Sequence, residues 1–116
     1  MAIKLNAAGY DNAKKLIKSF EVECDPNNWE EVKPSIDEIL RYLDSHKLEE
    51  YGLWFLGIDT QAPNDQRSKY VYPYGDFNLV QESALILAER QATEKNHDEI
   101  KKAAHELLQE LAKCKQ

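Results

Sequence analysis

Three histidines, His46, His97 and His105, are the side chains of this 116-residue chain best suited to metal binding or to proton transfer near neutral pH. Zinc sites on helices take two ligands four residues apart, and His105 has Gln109 at that distance, so HELLQ is a near miss to the zincin pattern. His97 and His105 stand eight apart and can share a helix face, but Lys101 lies between them, and a cation there repels a metal. Helix-terminus and surface roles are expected for all three, with no metal and no cofactor. Glu49 with Glu50, and Asp98 with Glu99, are sequence neighbours that point apart on a helix, making solvated faces rather than acid/base pairs. Glycines 9, 52, 57 and 75 never cluster into a phosphate-cradling loop, and no serine sits in a glycine elbow. Cys24 and Cys114 have no CxxC partner and read as plain thiols of a reducing compartment. No catalytic residue emerges.

The densest chemistry lies in YVYPYGDF, residues 70 to 77, where four aromatic rings share eight positions with a proline and a glycine. Two roles compete for it. Trp54, Phe55, Tyr70 and Tyr72 fill a gap between helices, because aromatic rings bury a large area without helical geometry. Alternatively Tyr70, Tyr74, Asp76 and Phe77, with Arg67 beside them, form a rigid binding surface of the kind enriched at protein interfaces. A cleft joining Tyr74, Asp76 and a histidine would make the chain a small-ligand binder or an enzyme. Stacking on single-stranded nucleic acid would need a positive groove, for which Arg67 and Lys69 are a thin supply. Pro73 is expected to pin the backbone, and Gly75 to supply a positive φ.

Composition bounds these options. At 42% apolar and 31% charged residues the chain is expected to be one globular domain, residues 1 to 116, needing no disulfide scaffold. Its formal charge of −6 disfavours attachment to phosphate backbones or anionic lipid. Neither an apolar leader nor a membrane span is evident, so a cytoplasmic protein with a protein partner is expected.

The elements that must position the aromatic segment are mostly helical by pattern. Tyr10, Ala13, Leu16, Ile17 and Phe20 make one apolar stripe, with Asn6 or Asp11 as cap. A linker follows at DPNNW. Ser35 with Glu38 is a capping-box signature opening a helix to about His46, with Ile36, Ile39, Leu40 and Leu43 on its apolar face. LEEYGLWFLGID carries helical spacing, yet LWFLGI is also a continuous apolar run of the strand type; helix is favoured. Helices at 79 to 94 and 97 to 114, the second capped by Asn96, form an antiparallel hairpin crossed by the two earlier helices. The expected fold is a compact all-α bundle of four to five helices with an aromatic connecting loop. An α+β fold pairing 53 to 58 with 69 to 73 is the alternative.

From Trp54 onward, WFLGID, KYVYPYGDF, SALILAERQA and NHDEIKKAAHELL together resemble a family of small uncharacterised bacterial proteins, cyanobacterial ones among them. A similar order of features occurs in segments of phage-associated proteins. The resemblance covers a little over half of the chain, rests mainly on residues such as Gly57, Tyr70, Pro73, Gly75 and Arg90, and departs from the pattern at Gln81, where a basic residue is commoner. It implies a fixed connector aiming tyrosines at a helix pair, and no catalytic residue.

Overall fold

The computed structural model describes residues 2 to 114, the last of these without its side chain. The expectation for the Cys114 thiol therefore lies outside the described residues, while Cys24 is exposed. The fold is α+β. In chain order the elements are β1 (Ile3–Leu5), α1 (Ala7–Lys18), β2 (Val22–Glu23), α2 (Trp29–Val32), α3 (Ile36–Ser45), α4 (Leu48–Gly52), β3 (Phe55–Asp59), β4 (Tyr70–Pro73), β5 (Val80–Gln81), α5 (Glu82–Glu94) and α6 (Asp98–Cys114). The all-α bundle expected from the sequence is thus incorrect, and its alternative is the fold observed.

The difference lies in LEEYGLWFLGID. Its first five residues are helical as α4, and Phe55 to Asp59 are the central strand of an antiparallel sheet ordered β1-β3-β4. Ile3 opposes Asp59 and Leu5 opposes Gly57 on one side of β3, while Phe55 opposes Pro73 and Ile58 opposes Tyr70 on the other. A strand covered on both faces reads as a continuous apolar run with no alternation, which a helical wheel accommodates equally well. Helix α1 packs directly on β3. A side-chain carbon at Gly9 would collide with the Phe55 carbonyl oxygen, so only glycine permits this approach. Asn6, at the N-cap position, spends its buried amide on the Gly52 and Phe55 carbonyls at 2.8 and 3.0 Å, tying α1, α4 and β3 together.

The helical hairpin is present, with α5 opening at Glu82 instead of residue 79 because Val80 and Gln81 pair in parallel with Val22 and Glu23. Asn96 is not the cap of α6. It adopts a left-handed φ of 60° and closes α5, as His97 N–H donates to the Ala92 carbonyl at 2.8 Å and Asn96 N–H to Thr93 at 3.3 Å. This is the Schellman pattern, for which asparagine substitutes for glycine. Helix α1 packs across α6. Helix α3 does not join it; no residue of α3 is fully buried, and its main packing is against α4. The core runs from Ala13 and Ile17 through Leu56 and Leu85 to Ile100, Leu107 and Leu111. Among the described residues no helix is long and apolar enough to cross a membrane.

Candidate functional site

A capping box starts α3. Ser35 Oγ accepts from Glu38 N–H, and Glu38 Oε1 accepts from Ser35 N–H, both at 3.2 Å. Pro34 keeps the preceding residue extended, with Lys33 at ψ 140°, so the chain turns sharply from α2 into α3. The turn leaves an apolar groove of about 180 Å³ between α3 and the sheet edge. Trp29, Tyr51 and Phe55 make its floor, Ile39 and Phe77 its walls, and Lys33 its polar rim.

The opposite wall comes from the segment after β4. Gly75 bridges to Val80, and one oxygen of Asp76 accepts from Asn78 and Leu79 N–H at 3.2 and 2.8 Å. That closed turn holds Phe77 at a φ of 68°. Gly75 does not have the positive φ expected of it. Its glycine is required by space, because a side-chain carbon there would lie 2.5 Å from the Leu79 carbonyl oxygen and 2.7 Å from the Trp54 ring.

Phe77 anchors α3 through ring contacts. Tyr42 stacks on it at 4.3 Å between centroids, and His46 stacks on the other face of Tyr42 at 3.9 Å. Tyr51 and Trp54 meet Phe77 at 5.8 and 6.2 Å. Burial pushes the Tyr42 phenol above its usual range, with the Trp54 indole pulling it part of the way back. Burial also raises Tyr51, and the neighbouring Arg67 guanidinium opposes the rise.

The expected binding residues divide. Phe77 lines the groove and Asp76 shapes the turn that places it. Tyr74 is completely buried: its hydroxyl donates to the Leu53 carbonyl at 2.5 Å and accepts from Asn12 Nδ2 at 2.8 Å. Half-buried Tyr70 packs on Gly52, Tyr51 and Phe55, with Lys69 over its ring, and Arg67 is half-buried beside Tyr51. Among the described residues, Tyr74 and Asp76 share no hydrogen bond with a histidine. His97 Nδ1 meets the Tyr72 hydroxyl at 2.7 Å, His105 meets Glu89 at 2.8 Å, and His46 meets Ser45 and Tyr42. Among the described residues no group of three or more His, Cys, Asp or Glu is placed to hold a metal.

Sequence reasoning placed the helix α3 but missed it as a surface. Ile36 and Leu40 are 55% and 50% exposed, and with Phe20 at 73% they are the exposed large apolar residues among those described. Their spacing announces an amphipathic helix and carries no sign of whether anything covers it. Trp29 was hidden in a stretch with the composition of a linker. What the arrangement offers is an apolar surface with an aromatic floor, on which, among the described residues, no nucleophile, acid/base pair or ligand set converges. No family model matches this chain, and neither a curated protein nor a solved structure matches it.

Proposed function

We propose that the chain is a non-enzymatic protein-interaction domain whose docking surface is the outer flank of α3 together with the aromatic groove beneath it. The observation that carries this reading is the exposure of Ile36 and Leu40 on a helix whose Ile39, Tyr42 and Leu43 pack inward, so that part of its apolar face is left uncovered. Ile39 lines the groove, and Ile36 and Leu40 continue its apolar surface outward. Covering two half-exposed aliphatic side chains of this kind is worth about 1 kcal/mol each, and the closed Asp76 turn lowers the ordering cost that binding would otherwise carry. Phe77 and Asp76 of the aromatic segment belong to this surface, which is centred on α3. A cytoplasmic location belongs to the same proposal, favoured by cysteines that lack a CxxC partner.

Site-specific photo-crosslinking in the cells that make the protein tests it. A photoreactive phenylalanine replacing Leu40 should yield an adduct of discrete mass that is lost when Ile36→Ser is added. The same probe replacing Lys102, on the exposed face of α6, should yield none. No adduct at Leu40, or equal adducts at both positions, would overturn the reading.

A further inference from the structure

We propose that the occupant of this surface is an amphipathic helix of another protein whose apolar stripe is bordered by lysine or arginine. The inference rests on the docking role proposed above and adds the chemistry of the partner.

Charge carries it. Along α3, Asp37 precedes Leu40 by three residues and Asp44 follows it by four, so both carboxylates border the exposed apolar flank. Both are exposed, and among the described residues neither forms a hydrogen bond or ion pair. Arg41 lies one step farther round the helix, away from Leu40. Lys33, at the rim of the groove, is already held by Glu30 at 2.7 Å. Residues 30 to 50 contain seven carboxylates and three cations, so four of the chain's six net negative charges fall in this stretch. An apolar stripe with an uncompensated acidic margin fits a helix with an apolar stripe and a basic margin, the mode in which a helix lies in a groove and is read at three and four residue steps.

The same margin argues against other occupants. A second copy pairing antiparallel about Leu40 would bring Asp37 of one molecule beside Asp44 of the other, and like charges so placed repel. Nucleic acid and anionic lipid meet the same repulsion.

Two synthetic peptides of about 18 residues, long enough for measurable helix, test the inference. They share one leucine stripe and carry lysine or glutamate at every other position. Each is titrated into the isotope-labelled full chain and followed by amide chemical shifts. The leucine/lysine peptide should bind at least about tenfold more tightly than the leucine/glutamate one, weaken with salt, and shift resonances of residues 36 to 45. Asp37→Asn with Asp44→Asn should abolish that preference, and Asp37→Lys with Asp44→Lys should reverse it. Ile36→Ser with Leu40→Ser keeps every charge and should remove binding of both peptides. Equal binding of the two peptides at α3 would overturn the charge inference and leave the docking role standing. Binding of neither, or shifts away from α3, would overturn both. Lysine-peptide binding that survives the serine variant would be non-specific attraction to an acidic protein and would overturn the inference as well.

Discussion

Tyr42 of α3 lies flat on Phe77, with ring centroids 4.3 Å apart and planes 15° from parallel. Because α3 has no fully buried residue, this stack and the contacts of Ile39 and Leu43 are what attach it to the body of the protein. Phe77→Ala should cost about 2 kcal/mol, below the usual range for a buried phenylalanine because the ring is only half covered. Hydrogen exchange should rise over residues 36 to 45 well before it rises in α5 and α6. Unchanged protection of α3 would show that Phe77 does not hold it.

Tyr72 sits in β4 with a φ of 62°, a conformation uncommon for a bulky residue, yet its side chain is 8% exposed. Its hydroxyl meets His97 Nδ1, linking the sheet to the start of α6. Tyr72→Ala should therefore cost about 3 kcal/mol or more, and Tyr72→Phe only about 1. A value under about 1 kcal/mol for the alanine variant in urea denaturation would contradict its place in the core.

Phe20 ends α1 at a φ of 61°, with Glu21 N–H bonded to the Leu16 carbonyl in the pattern that normally takes glycine. Its ring is 73% exposed and gains little from the fold. Phe20→Gly should stabilise the protein by about 1 kcal/mol, read as an upward shift of the urea midpoint. A downward shift would mean that the ring makes contacts in the folded state that outweigh the backbone strain.

Five phenols ionise above the ordinary tyrosine range. Hydrogen bonding to Glu106 and burial push Tyr10 up to about 12, and burial raises Tyr42, Tyr51, Tyr72 and, most strongly, Tyr74. The folded state holds these protons more tightly than the unfolded chain, whose phenols titrate near pH 10. Their contribution is fully present below about pH 10 and is lost as pH rises through the folded values. Stability measured by urea should be level from pH 7 to 9 and fall from about pH 10 upward. Tyr74→Phe should lower stability by about 1 to 2 kcal/mol at pH 7 and make the alkaline fall shallower. An identical slope in that variant would remove Tyr74 from the account.

Features encoded over a single turn of chain are legible in the residues themselves. Ser35 and Glu38 form the capping box they advertise, Asp98 and Glu99 open α6, and the apolar steps of α5 and α6 do become the faces that meet. The cap of α6 was misassigned because Asn96 suits both an N-cap and a left-handed helix end, and only the His97 to Ala92 bond decides between them. Among the expected site residues, Phe77 could be read as a surface contributor. Tyr74 could not be placed, since its burial depends on Asn12 and Leu53, both distant in sequence.

By itself the sequence determined the helix periods of α1, α3, α5 and α6 and the capping box of α3, because each is set by residues within three or four positions of one another, and its composition alone gave the acidic balance. Tertiary structure alone decided that Phe55 to Asp59 is a strand, since its partners are Ile3 to Leu5 and Tyr70 to Pro73 and no local pattern names them. It also decided that Ile36 and Leu40 of the α3 stripe are left exposed while Ile39 and Leu43 pack inward. Periodicity says which side of a helix is apolar; whether another element covers that side depends on where the rest of the chain has gone.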